Sequence, residues 1–154
     1  MNAETPKVES PENERGNAMI EMAICLPFIL IILMASVDLG RALNEYLTIT
    51  RVVYEATRFG ASVSQLEAGA FESNSTAPAG HQAIRNRVAL LLDRYGIPQE
   101  QVTRLRTELV NTGTQLEVKV EIDWAFDAIF AQFDFMDALG SAEATGPYLY
   151  LGSA

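Results

Sequence analysis

The sequence predicts an α+β protein. It reads as a long N-terminal helix with a transmembrane half and an amphipathic protruding half, a second helix, and a small antiparallel β-sheet. Three observations carry this. Residues 18–37 form an apolar run broken by one charge, Glu21. Apolar residues at helical spacing continue past that run with no proline between Pro27 and Pro78. Near the C-terminal end, two stretches flank Asn-Thr-Gly-Thr, residues 111–114, the first alternating in part and the second throughout in the strand manner.

Residues 1–14 hold two prolines and four glutamates with scarcely an apolar side chain, a composition expected to be disordered. The run from Ala18 to Val37 follows. About 20 apolar residues at 1.5 Å each cross a hydrocarbon core roughly 30 Å thick. A removable secretory signal would need a basic leader, a shorter apolar core and a small-residue cleavage site. None of these is present, so the segment reads as a retained anchor. Beyond it, Leu39, Leu43, Tyr46, Leu47, Ile49, Val53, Ala56 and Phe59 recur mostly three and four apart. Asp38, Arg41, Glu45, Arg51, Glu55 and Arg58 fall between them as intrahelical charge partners. One helix is therefore predicted over residues 17–62, roughly 70 Å long.

Residues 63–80 read as a loop, because Gly, Ser, Asn and Pro crowd its second half. The C-terminal α+β domain is predicted over residues 81–154. Its helix presents Ile84, Val88, Leu91, Leu92 and Tyr95 on one face and stops at Gly96, with Pro98 just beyond. Strands are predicted at 103–110 and 116–126, joined by a hairpin turn in which Gly113 takes positive φ. Residues 127–140 read as a short helix or a hydrophobic loop, and residues 141–151 as a third strand. The sheet needs a cover on its apolar face, which the protruding half of the first helix and the second helix supply.

Composition narrows the function. The chain has 154 residues and a net charge of -9, which argues against nucleic-acid binding, since phosphates require Lys and Arg to displace their counterions. The single cysteine, Cys25, lies in the apolar run and reads as a small hydrophobe. The single histidine, His81, excludes a multi-histidine metal site and is expected to be solvated. No phosphate-binding glycine loop, metal-ligand spacing or nucleophile pattern occurs. Asp123, Asp127, Asp134 and Asp137 do not have the spacing of a calcium-binding loop and read as solvated charges. Trp124, Phe126, Phe130, Phe133 and Phe135 read as core or helix-docking residues. The expectation is no enzyme, no cofactor and no metal.

The chemistry that remains lies at the start of the helix, in "RGNAMIEMAICLPFILIILMASVDLGRAL". An ionised carboxylate in hydrocarbon is costly and is usually paired and functional. Asn17 and Glu21 are one turn apart on one helix face. A free amine on Asn17 would neutralise Glu21 in its own chain or pair with Glu21 of a neighbour. At about 4 Å and an effective dielectric near 20 the attraction is roughly 4 kcal/mol, before desolvation. Pro27 removes a backbone donor and crowds the carbonyl of Ala23, so it reads as a kink or a local melting point.

A short polar leader ending in Gly16, followed by an apolar helix with Glu at the fifth position, resembles a type IV prepilin signal. The wider pattern is similar to one branch, the TadE-like pseudopilins of tight-adherence (Tad, or Flp) pilus systems. The resemblance rests on Arg15, Gly16, Glu21, Leu26 and Pro27, with Asp38, Gly40 and Arg41 just after the run. It implies that prepilin peptidase recognises Gly16, Asn17 and Glu21 and cuts after Gly16, removing residues 1–16. It also implies that Asn17 and Glu21 serve subunit docking, and that the protein primes or caps pilus assembly as a minor pilin. The partners it implies are the peptidase, a second pseudopilin, pilin subunits, the Tad membrane platform with its ATPase, and membrane lipid. Lys7 and Arg15 before the span balance Arg41 and Arg51 after it, so flanking charge does not set the orientation. The resemblance implies a cytoplasmic N-terminus, an inner-membrane span and a periplasmic or pilus-borne C-terminal domain. Two rival readings share parts of the pattern: a type II secretion pseudopilin, and an unprocessed signal-anchored periplasmic binding protein.

Overall fold

A computed structural model describes residues 11–64, 66–129 and 140–149 of the chain. Its elements, in order, are helix α1 (Pro11–Gly60), strand β1 (Gly69–Glu72), helix α2 (Ala79–Arg94), a single 3-10 turn (Gln99–Gln101), and strands β2 (Val102–Asn111), β3 (Leu116–Trp124) and β4 (Ser141–Pro147). The architecture is α+β, as the sequence predicts. The chain divides into two compact units, Met1–Val37 and Asp38–Ala154.

The first unit holds the apolar length of α1. The helix begins at Pro11, earlier than predicted, so residues 11–14 are helical and Gly16 lies inside the helix. Proline suits the first helical position, where its missing N–H has no partner to lose. The helix is continuous through Pro27.

The second unit is a four-stranded sheet in the order β1-β2-β3-β4, all antiparallel. One face packs on a core built with α1 and α2. Leu105 and Leu109 of β2, Val118, Val120, Ile122 and Trp124 of β3, and Ala142 and Ala144 of β4 meet Ile49, Val52, Val53 and Ala56 of α1 and Ile84, Val88, Leu91 and Leu92 of α2. The other face carries charge in cross-strand pairs. Lys119 meets Glu143 at 2.9 Å, and Arg104 meets Asp123 at 3.7 Å and Glu72 at 2.9 Å. Asp123 is thus part of a surface charge network.

Several local signals act as predicted. Gly96 has φ +71°, and the Gly96 and Ile97 amides bond to the Asp93 and Leu92 carbonyls, closing α2 with a Schellman cap. Gly113 has φ +83° in the β2–β3 turn, where its N–H donates to the Asn111 side chain at 2.8 Å. Others differ. Strand β1 lies within residues 63–80, predicted as loop. It is four residues long and largely exposed, so no alternating pattern marks it, and pairing with β2 makes it a strand. The stripe predicted for α1 is also wider than the core it serves. Ala42, Ile49, Val52, Val53 and Ala56 are buried, whereas Leu39, Leu43, Leu47 and Phe59 are exposed, as is Tyr95 of α2. Phe130, Phe133, Asp134, Phe135 and Asp137 lie outside the described residues.

Gly60 shows why a small residue ends α1. A Cβ there would stand 2.8 Å from Cδ1 of Ile84 and 2.9 Å from Cγ1 of Val118, too close to keep the present packing. The glycine lets the helix end approach α2 and β3 together.

Candidate assembly helix and its junction with the domain

Gly16, Asn17 and Glu21 lie on α1, and all three are exposed. The helix alone brings Asn17 and Glu21 together, one turn apart. Met19, Ile20, Met22, Ile24, Leu26, Phe28 to Met34 and Val37 are exposed too, on every side of the helix. A helix apolar all round is one that lipid or neighbouring helices must cover. Pro27 lies within this length and does not interrupt it. Cys25 is free and exposed. The helix is long and apolar enough to cross a membrane.

The residue immediately after the apolar run behaves differently. Asp38 is fully buried in the second unit. Its Oδ1 accepts the Ile129 N–H at 3.2 Å and lies 3.7 Å from the Arg41 guanidinium. Arg41 in turn stands over the Phe126 ring, 5.7 Å from its centroid. A buried carboxylate is tolerated when it is both charge-paired and hydrogen-bonded, and Asp38 has both kinds of partner. One turn further on, burial raises the Glu45 carboxyl above its usual value, Arg41 opposes the rise and Asp127 adds to it. Asp38 and Arg41 are visible in the sequence as residues flanking the run. Their link to the chain after β3 is not, because nothing local to residue 38 indicates which distant backbone it will meet.

His81 corrects a sequence expectation. It is fully buried rather than solvated. Its Nε2–H donates to the Glu67 carbonyl at 2.9 Å, and that carbonyl assigns the tautomer, since it can only accept. Nδ1 then accepts the hydroxyl of Thr107, also fully buried, at 3.0 Å. The Phe71 ring packs on the imidazole with centroids 4.4 Å apart. Burial holds His81 below its ordinary value of 6.5; the Glu67 carbonyl opposes this and the Arg85 charge adds to it. Arg85, next on the same face of α2, donates to the carbonyls of Ser75 and Glu72. His81 and Arg85 together fasten the segment around β1 to α2. A histidine at a helix start, with no pattern around it, carries no sign of this in sequence. Among the described residues no group of three or more His, Cys, Asp or Glu is placed to hold a metal.

These features define a class: a small α+β domain carried on a single helix long and apolar enough to anchor it in a membrane. Residues 16–58 match the family model of TadE-like proteins. The match begins at Gly16, includes Glu21, Pro27, Asp38 and Arg41, and ends two residues before α1 does. The likeness covers 43 of the 154 residues, all of them on α1. No significant match occurs among curated proteins or solved structures.

Proposed function

We propose that this protein is a minor pilin of a Tad pilus system, cut by prepilin peptidase between Gly16 and Asn17 and acting in pilus assembly. One observation carries the reading: the family match falls on the same length of α1 that holds Gly16, Glu21 and the exposed apolar run. Gly16 lies inside a helix, and glycine destabilises a helix interior by about 1 kcal/mol relative to alanine. It is therefore a natural point for the chain to open into an extended form for cleavage. The new Asn17 amine then lies one turn from Glu21, and a neighbour's Glu21 is the partner that sets subunit stagger.

In this reading the span sits in the inner membrane with its N-terminus cytoplasmic. The partners are the peptidase, a second pseudopilin, pilin subunits and the Tad platform with its ATPase. N-terminal sequencing of the protein made in a Tad-competent host tests it. The expected mature sequence begins at Asn17, and a chain still carrying residues 1–16 would refute processing. Glu21→Ala is expected to be cut normally yet to abolish pilus assembly; normal piliation would refute the pairing role.

A further inference from the structure

Three contacts track together along α1 and the chain leaving β3. Trp124 packs on Tyr46 with centroids 6.1 Å apart, Phe126 lies under Arg41, and the Ile129 amide reaches Asp38. As the chain advances from 124 to 129, its helix partner steps back from 46 to 38. At 1.5 Å per residue, this carries the loop about 12 Å along α1 toward the apolar run. It ends at Asp38, which is covalently next to Val37, the last residue of that run.

We propose that the loop after β3, residues 125–129, lies in the lipid headgroup layer and that Ile129 inserts there. Three observations fit lipid as the occupant. Ile129 is 62% exposed although its own amide is tied down by Asp38, so its side chain is held outward. The nearby cation is Arg41, which pairs with Asp38 yet keeps its side chain 45% exposed, so a lipid phosphate can reach it. Asp38, level with the Ile129 amide, is buried within the protein and so does not itself meet the bilayer, while Asp127 of the loop is exposed. The opposite end of the sheet provides a contrast. The β2–β3 turn lies eight strand residues from Trp124, roughly 26 Å away.

The proposal rests on the membrane-anchor reading, and the test separates the two. Full-length protein in phosphatidylethanolamine–phosphatidylglycerol vesicles is labelled with a nitrobenzoxadiazole probe at one cysteine at a time. The sites are native Cys25, Ile129→Cys and Thr114→Cys, the last two in a Cys25→Ser background; all three positions are exposed. The expected result is quenching of residue 25 by deep-spin-labelled lipid. Residue 129 should show blue-shifted emission and quenching by shallow-labelled lipid, and residue 114 a water-like spectrum with neither. Quenching at 25 with a spectrum at 129 like that at 114 would overturn the proposal and leave the anchor standing. Absence of quenching at 25 would overturn the anchor, and the lipid contact with it.

Discussion

Replacing His81 by leucine separates a structural histidine from a solvated one. In the folded protein the neutral imidazole makes two bonds, to Glu67 and Thr107, and its removal leaves the buried Thr107 hydroxyl alone. Two bonds at about 0.5–1.5 kcal/mol each, plus the desolvation of a stranded hydroxyl, give about 2–4 kcal/mol for His81→Leu. For a unit of this size each kcal/mol moves the melting midpoint by roughly 4 °C, so a drop on the order of 10 °C is expected. The pH dependence has a definite sign. His81 binds its proton more weakly in the folded state than in the unfolded chain. Its neutral form therefore contributes fully above the unfolded value of 6.5, and that stability is lost as pH falls below it toward the lowered folded value. The local slope is at most about 1.4 kcal/mol per pH unit. Trp124, the only tryptophan and 5% exposed in the core, reports unfolding by fluorescence in the full-length chain in detergent micelles. Scans from about pH 8 to about pH 5 should show a histidine-dependent decline in the wild type that His81→Leu lacks. Adding Thr107→Val to His81→Leu should recover part of the loss, because removing both polar partners strands neither. A His81→Leu midpoint within about 0.5 kcal/mol of wild type, or an unchanged pH slope, would refute the reasoning.

Other predictions follow from single contacts. Asp38→Ala removes the acceptor of the Ile129 amide and the partner of Arg41, and is expected to destabilise the domain by about 2–4 kcal/mol. A denaturation midpoint equal to wild type would show that the junction tolerates an unpaired loop. Gly60→Val places a branched side chain where even one carbon lacks room, and is expected to cost about 2–3 kcal/mol by overpacking against Ile84 and Val118. An unchanged midpoint would mean that α2 shifts freely, contrary to the packing described.

The apolar run, its Gly16 and Glu21, the stop of α2 at Gly96 and the faultless alternation of β3 were all legible without a structure. Each is a local property: hydrocarbon thickness sets the length of a span, and backbone periodicity sets which positions share a face. The family signal lies in the same stretch, and it is likewise local to one helix. Tertiary structure alone decided which flank of the broad α1 stripe became core, since that depends on where β3 and α2 arrive. It alone made a strand of Gly69–Glu72, because an exposed edge needs only a partner's backbone and leaves no pattern in side chains. It buried His81 against Thr107, 26 residues away, and brought Asp38 to Ile129, 91 residues away. Contacts between residues so far apart are chosen by the packing of whole elements, and no window on the sequence contains both partners.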